Sequence, residues 1–213
     1  MPAPVGSIKT YAELKTAIAD WLDRSDQDVV IPAFIYLAER DMEQKLRHHK
    51  MVIKSYSSVS ANDGVVALPP DWLEARNLEI NDCQITYQSP DVIDMYRDGN
   101  PDATGDPEIY SFYGSNIEVW PIPTEDYIIE MDYYQKIPPL EDAISGSNWL
   151  LADSPSAYLY GSLIHSAPYL RDDARIALWD KMYKDALHTI QGGSERAMTH
   201  GSRITRVAPL SFG

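Results

Sequence analysis

The apolar residues of this chain change their spacing twice along the sequence. They recur every three to four residues up to about residue 50, alternate with polar residues in short segments from residue 51, and return to helical spacing near residue 154. The first spacing places apolar side chains on one face of a helix, whereas alternation places them on one face of a strand. The sequence therefore predicts a β-rich region between two helical regions.

Two helices are predicted in the N-terminal region. Thr10 and Glu13 have the spacing of a capping box, in which each side chain accepts a hydrogen bond from the other residue's backbone N–H group. The second helix is predicted over about residues 28–47, with Pro32 in its first turn, where the missing N–H is tolerated. The basic sequence RHHK at 47–50 closes this helix at the negative end of its dipole.

Strands are predicted where β-branched and aromatic residues lie between turn sequences. These segments are VVAL at 65–68, NLEI at 77–80, CQITY at 83–87, EIYSFYG at 108–114, NIEVW at 116–120 and YIIEMDYY at 127–134. They predict a small antiparallel β-domain. Ser89 and Pro90 predict the start of one short helix within it, ending at Gly99. Residues 98–107 predict an exposed loop at its tip.

Helical spacing returns at Ser154, which with Pro155 suits an N-cap and a first helical position. Pro168 is predicted to kink or end this helix. A last helix is predicted over about residues 172–190, with Gly192 and Gly193 as its stop. The sequence from residue 196 to residue 213 contains three arginines and no acidic residue, and it predicts an extended C-terminal tail.

The predicted fold class is α+β, with a helical bundle from N- and C-terminal helices, an inserted small antiparallel β-domain and an extended C-terminal tail. Four amphipathic helices each need a partner, which favours one bundle built from both ends of the chain. The predicted boundaries are 1–50 and 141–195 for the two halves of the helical domain, 51–140 for the β-domain and 196–213 for the tail.

The net charge of −14 argues against a protein that holds nucleic acid by phosphate contacts, and against one drawn to anionic lipid. Cys83 is the only cysteine, so a disulfide within the chain is excluded. No apolar segment approaches the ~20 residues of a membrane span. The first fifteen residues lack the apolar core of a signal peptide. We therefore expect synthesis in a reducing cytoplasm.

The segment NWLLADSPSAYLYGSLIHSAPYL at 148–170 raises the question of a catalytic pair. Ser162 and His165 lie one helical turn apart, so a small Ser/His hydrolase is one hypothesis. Such an enzyme also needs an acid that orients the histidine and an oxyanion hole, and the chain has no G-x-S-x-G sequence. Small serines also let two helices approach closely, and this interpretation is favoured.

No metal or cofactor site is predicted. His48 and His49 are adjacent and are expected to point to different sides of a helix. The aspartates of the tip loop lack the ligand spacing of an EF-hand. Five tyrosines of the predicted strands could stack on bases, but without basic residues between them they favour core and interface positions. These tyrosines are Tyr110, Tyr113, Tyr127, Tyr133 and Tyr134.

Six phrases of the sequence are more informative than any candidate site. They are DWLDRSD, IPAFIYLAERDMEQKLR, LPPDWLEARNLEI, MDYYQKIPPL, NWLLADSPSAYLYGSLIHSAPYLRDD and LWDKMYKDAL. Together they resemble the head-to-tail adaptor (connector) proteins of tailed bacteriophages, the group related to tail tubular protein A. The resemblance covers about residues 8–195.

The resemblance implies a structural virion protein at the head-tail junction and not an enzyme. Members of this family form a ring, commonly of twelve copies, that contacts the portal protein above and the tail nozzle or tube protein below. The implied fold is a helical bundle with an inserted β-domain. DNA would pass through the lumen of an acidic ring without specific binding, because like charges repel.

Two surfaces are expected to make these contacts. The basic tail has the opposite charge to the body, and we expect it to dock on the portal or on a neighbouring copy, the alternative being a flexible terminus. Its contact residues are Arg203, Ile204, Arg206, Val207, Leu210 and Phe212. The exposed loop is expected to meet a neighbour or a tail-side partner through Asp98, Asn100, Asp102 and Asp106. The alternatives to an adaptor are the Ser/His hydrolase and a soluble peptide-binding module.

Overall fold

A computed structural model of the chain describes residues 8–23, 29–141, 143, 145–169 and 174–199. It contains both helices and antiparallel strands, so the predicted α+β class is confirmed. The chain divides into two compact units. Residues 50–136 form the β-unit, and the segments before and after them form the helical unit. The segment 137–140, which the sequence assigned to the β-domain, therefore belongs to the helical unit.

The helical unit is centred on one buried helix. Its helices are α1 (Tyr11–Leu22), α2 (Ile31–Lys45), α4 (Trp149–Asp153), α5 (Pro155–His165) and α6 (Ile176–Thr199). Helix α5 packs against α1, α2, α4 and α6. Its residues Ala157, Leu159 and Leu163 are fully buried. Helices from both ends of the chain thus share one apolar core.

The starts of these helices follow local sequence rules. Thr10 Oγ1 accepts a hydrogen bond from the Glu13 N–H group at 3.3 Å, and Glu13 Oε2 accepts one from the Thr10 N–H group at 3.1 Å, as the predicted capping box requires. Helix α5 begins at Pro155, the predicted first position. Helix α4 was not predicted, and the side chain of Asn148 caps it.

Helix α6 does not stop at Gly192 and Gly193, contrary to the prediction, but continues to Thr199. Each glycine costs a helix interior about 1 kcal/mol. The contact that follows them offsets this cost, because Ser194 is buried and its Oγ accepts a hydrogen bond from the His49 N–H group at 2.8 Å. Residues 196–199, predicted to begin the extended tail, are therefore helical.

The β-unit consists of two four-stranded sheets. Its strands are β1 (Val52–Val59), β2 (Val65–Ala67), β3 (Trp72–Ile80), β4 (Cys83–Gln84), β5 (Thr86–Tyr87), β6 (Ile109–Tyr113), β7 (Asn116–Trp120) and β8 (Tyr127–Gln135). One sheet has the order β1-β8-β3-β4 and the other β2-β7-β6-β5. Strand β1 was not among the predicted segments, because its inward positions include Ser55 and Ser57, which weaken the apolar alternation.

The sequence predicted an antiparallel β-domain, but the second sheet contains one parallel pair of strands. Strands β5 and β6 pair in parallel, with Thr86 opposite Ile109. Parallel neighbours need a long crossover connection, usually a helix. Helix α3 (Pro90–Gly99), which has the predicted bounds, supplies it. Ile93 of α3 is fully buried, so the crossover is packed onto the unit.

The core of the β-unit comes from alternate residues of its strands. In β8, Tyr127, Ile129, Met131 and Tyr133 are buried, whereas Ile128 between them is 64% exposed. Of the five tyrosines considered for base stacking, Tyr110, Tyr127 and Tyr133 are buried in this core. This supports the core interpretation for those three. None of the helices in the described part of the chain combines the length and apolar character that crossing a bilayer requires.

Candidate functional site

Two buried carboxylates on α2 hold the segment that returns from the β-unit. Glu39 and Glu43 lie one helical turn apart and are only 4% and 5% exposed. Glu39 Oε1 accepts a hydrogen bond from the Leu140 N–H group at 2.9 Å, and Glu43 Oε1 accepts one from the Ile137 N–H group at 3.2 Å. Both carboxylates thus accept hydrogen bonds from backbone N–H groups that lie outside regular secondary structure.

Tyr158 and Asn148 extend this network into the phrase NWLLADSPSAYLYGSLIHSAPYLRDD. The Tyr158 hydroxyl donates to Glu39 Oε1 at 3.3 Å, and the Asn148 amide donates to the Tyr158 oxygen at 2.7 Å. The same amide donates to the Pro138 carbonyl at 2.8 Å, while Asn148 Oδ1 accepts from the Leu151 N–H group at 2.8 Å. One asparagine therefore both caps α4 and fixes the returning segment.

The electrostatics of the network favour structure over proton transfer. Burial raises the pKa of Glu39, although the hydrogen bonds from Leu140 and Tyr158 oppose that rise. Burial and the charge of Glu39 raise the pKa of Tyr158 far above its usual range, so it stays a donor. Glu43 is paired with Arg40 at 2.8 Å. The group acts as a clamp between α2, α5 and residues 137–140.

This clamp joins three of the phrases that carry the family resemblance, and sequence reasoning missed it. Glu39 and Glu43 each follow a buried residue of the α2 stripe, Ala38 and Met42 respectively. A glutamate so close to an apolar stripe is a usable signal for a buried carboxylate. The residues that donate hydrogen bonds to Glu39 and Glu43 lie 94 to 119 residues away in the sequence, so sequence spacing alone could not identify them.

The proposed catalytic pair is not assembled. Ser162 is fully buried, and its Oγ has no hydrogen-bond partner among the described residues, whereas a nucleophile needs a base within hydrogen-bond reach. Burial lowers the pKa of His165, with Asp41 opposing and Lys45 adding to that effect. The close-packing interpretation is supported at Gly161, where an added Cβ would lie 3.0 Å from Tyr183 Cε2.

Asp41 links α2 to α6 on the neighbouring face. Asp41 Oδ2 accepts hydrogen bonds from the Tyr183 hydroxyl at 2.6 Å and from Lys45 Nζ at 2.7 Å. Burial alone would raise the pKa of Asp41, but these two hydrogen bonds and the nearby positive charges hold it below its usual range. The result is a second tie between helices from opposite ends of the chain.

A comparable cluster lies within the β-unit. Asp71 Oδ1 accepts a hydrogen bond from the Tyr133 hydroxyl at 2.9 Å, and the Asp71 carbonyl accepts one from the Lys136 N–H group at 2.7 Å. The Trp72 ring stacks on Tyr133 with centroids 4.6 Å apart. Burial and Asp71 together raise the pKa of Tyr133 to about 12. The LPPDWLE and MDYYQK phrases therefore meet here.

The tip loop presents all four of its predicted contact residues to solvent. Asp98, Asn100, Asp102 and Asp106 are exposed. Asp106 Oδ1 also accepts a hydrogen bond from the Tyr127 hydroxyl at 2.5 Å, and the Gly105 N–H group donates to the Ile122 carbonyl at 3.0 Å. The second half of the loop is thus hydrogen-bonded to the rest of the β-unit, and the contact role of the loop stays a prediction.

The candidate metal ligands are not grouped. Across the described ranges, no set of three or more His, Cys, Asp or Glu side chains is placed to hold a metal ion. His48 and His49 were expected to lie in a helix and to point to different sides of it. Helix α2 ends at Lys45 and does not include them. Their ring centroids lie 4.2 Å apart, and the His48 ring stacks on Trp149 at 4.8 Å.

An acidic patch with exposed apolar residues lies on the outer face of the first sheet. Tyr56 and Ile128 are each 64% exposed there. Lys54 pairs with Glu130 beside them. A shallow pocket on this face is lined by Tyr56, Glu79, Asn81, Asp82, Ile128 and Glu130. Exposed aromatic and aliphatic side chains are typical of contact surfaces. The predicted tail contacts, Arg203 to Phe212, lie outside the described residues.

The polar groups found in both units tie distant parts of the chain to one another. A model of the SU10 adaptor protein family matches residues 9–207. Because this match covers most of the chain, the chain belongs to that family of phage head-tail adaptors, and the predicted resemblance to a phage adaptor is confirmed. No curated protein matches the chain.

Proposed function

We propose that the protein forms a ring between the portal and the tail of the virion and lines the channel through which DNA passes. The family match over residues 9–207 carries this proposal. Twelve copies are expected from the resemblance alone. The fold supports a structural role, since its discontinuous helical unit is fixed by buried hydrogen bonds and not arranged around a reactive group.

The charge of the chain supports the passage of DNA. Each copy carries a net charge of −14, so several copies around a channel would give it a strongly negative potential. Such a surface repels phosphates and prevents adhesion. Binding of DNA is therefore not part of the proposed function.

Two surfaces are proposed for assembly. Asp98, Asn100 and Asp102 of the tip loop are exposed and would meet a neighbour or the tail protein. The basic tail would bind the portal or a neighbouring copy through the residues predicted from the sequence. Asp106 is also exposed and belongs to the proposed loop surface, although its Oδ1 accepts a hydrogen bond from the Tyr127 hydroxyl.

An enzymatic role is not part of the proposal. Ser162, the candidate nucleophile, is buried, and its Oγ has no hydrogen-bond partner in the part of the chain that the structure describes. His165 lies on the same helix but does not activate it. Replacement of Ser162 by alanine is therefore expected to leave particle infectivity unchanged.

The decisive experiment is electron microscopy of assembled particles. A reconstruction of the head-tail junction is expected to show a closed ring of this chain between the portal and the tail. A monomer or dimer in the particle, or a location elsewhere in the virion, would contradict the proposal. Deletion of residues 201–213 is expected to reduce co-sedimentation with portal rings, whereas Asp98→Asn together with Asp102→Asn is expected to preserve it. Unchanged co-sedimentation of the deletion variant would reject binding of the tail to the portal.

A further inference from the structure

A small pocket opens next to the buried clamp of the helical unit. It has a volume of about 120 Å³ and lies between α1, α2 and residues 139–141. Tyr11, Tyr36, Glu39 and Glu141 contribute its polar groups. The pocket therefore joins two carboxylates and two aromatic rings within one unit of the structure.

One oxygen of Glu39 has no partner in this pocket. Oε1 accepts both hydrogen bonds, from Leu140 and from Tyr158, and Oε2 accepts none from any described residue. Glu39 is only 4% exposed, yet it lines the pocket. A carboxylate oxygen that accepts no hydrogen bond from the described residues can accept a charge-assisted one from a cationic donor placed in the pocket.

The rest of the pocket suits a cation as well. Tyr36 is 55% exposed, and the guanidinium of Arg40 already packs over its ring, 5.3 Å from the centroid. Arg40 itself is held by Glu43 at 2.8 Å. Burial, Glu141 and Glu39 raise the pKa of Tyr11, as expected in a negative environment. A carboxylate beside an aromatic ring is a typical guanidinium site.

The chain carries a matching ligand. Residues 200–213 contain Arg203 and Arg206 and no acidic residue, while the whole chain has a net charge of −14. Because each copy holds both the pocket and the arginines, the contact of one with the other is heterologous, the type of interface that closes into rings. We propose that the pocket binds an arginine guanidinium from residues 200–213 of a second copy, an inference that rests on the proposed ring.

The test uses full-length protein and a synthetic peptide. The recipient carries Arg203→Gln and Arg206→Gln, so that its own arginines do not compete. A peptide of residues 200–213 is titrated into it and compared with a peptide in which citrulline, a neutral isostere, replaces both arginines. We expect the arginine peptide to bind at least about tenfold more tightly, because a charge-assisted hydrogen bond is lost in the other. Equal affinities would overturn the proposal.

Variants of the recipient locate the site. Glu39→Gln is expected to weaken binding of the arginine peptide about tenfold, and Tyr36→Ala, at an exposed position, to weaken it without affecting the fold. The matched control Glu125→Gln removes one charge from an exposed position of the β-unit and is expected to leave affinity unchanged. If Glu39→Gln does not fold, Tyr36→Ala decides alone. Unchanged affinity in Tyr36→Ala, or an equal loss in Glu125→Gln, would overturn the pocket assignment.

A mixing experiment tests whether the bound arginine comes from a second copy of the chain. Isotope-labelled recipient is combined with unlabelled full-length Glu39→Gln protein, which keeps its arginines but lacks the carboxylate. The backbone amide signal of Leu140 in the labelled protein is expected to shift on mixing. No shift would overturn binding between copies. If the peptide tests fail while electron microscopy still shows the ring, the pocket is rejected and the proposed function stands.

Discussion

The two units of this protein differ in where they place their carboxylates. Among the described residues, both buried carboxylates, Glu39 and Glu43, lie in the helical unit. The β-unit packs an apolar core and places charges such as the Lys54–Glu130 pair on its outer face. The helical unit is assembled from two distant segments and the β-unit from one. Buried hydrogen bonds give a discontinuous unit the specific register that apolar contacts alone do not.

The largest expected effect breaks this clamp. Glu39→Ala leaves the Leu140 N–H group and the Tyr158 hydroxyl without their acceptor in a buried site. We expect the free energy of unfolding of the helical unit to fall by about 3 kcal/mol. Hydrogen exchange of α5 amides measures this loss. Exchange in the core strands of the β-unit is expected to stay unchanged, and equal acceleration in both units would contradict the comparison.

The matched variant Glu39→Gln keeps an acceptor and removes the charge, so its cost is expected to stay below about 1 kcal/mol. It also has a pH signature. Because burial raises the pKa of Glu39, the folded state keeps a proton that the unfolded state has released. Stability therefore falls as pH rises from about 4.3 through the raised pKa. Denaturant titrations at several pH values are expected to show a weaker decline in Glu39→Gln.

Alanine substitutions at two glycines of the helical unit are expected to change stability in opposite directions, by less than Glu39→Ala does. Gly161→Ala would place its Cβ 3.0 Å from Tyr183 Cε2 and 3.3 Å from Ala38 Cβ, so overpacking is expected to cost about 2 kcal/mol. Gly193→Ala meets no atom within 4 Å and is expected to stabilise α6 by about 0.5 to 1 kcal/mol. Urea unfolding of the two variants measures the opposite signs. A stabilised Gly161→Ala protein would show that α5 and α6 are not closely packed there.

The smallest effect is expected on the outer face of the β-unit. Glu130→Gln breaks the pair with Lys54, whose side chain is 48% exposed. Water solvates such a pair already, so no measurable change in the urea midpoint is expected. A loss as large as that of Glu39→Ala would show that the β-unit also depends on its charges.

Local rules predicted much of this fold. The capping box at Thr10, the start of α5 at Pro155 and the bounds of α3 were read from short sequences whose partners lie within a few residues. Helix α6 was predicted too short because its continuation depends on Ser194 and its contact with His49, 145 residues away. The parallel pairing of β5 with β6 depends in the same way on how α3 packs.

The site was less predictable than the fold. Ser162 and His165 had helical spacing for a catalytic pair, but burial of Ser162 decides against it, and burial is a tertiary property. The glutamates of the clamp lay inside a phrase that carried the resemblance. Their partners, Ile137 and Leu140, could be identified only from the structure, in which the returning segment lies against α2.

The discontinuity of the helical unit also sets an order of events during synthesis. Helix α5 leaves the ribosome more than one hundred residues after α2 (Ile31–Lys45), which at about 5–20 residues per second is a wait of roughly 5 to 20 seconds. The β-unit is complete earlier. During that interval the apolar stripe of α2, including Phe34 and Ile35, has no α5 to cover it. We expect nascent chains stalled late in this interval, after residue 136 has emerged, to recruit chaperones through α2 although the β-unit has already folded.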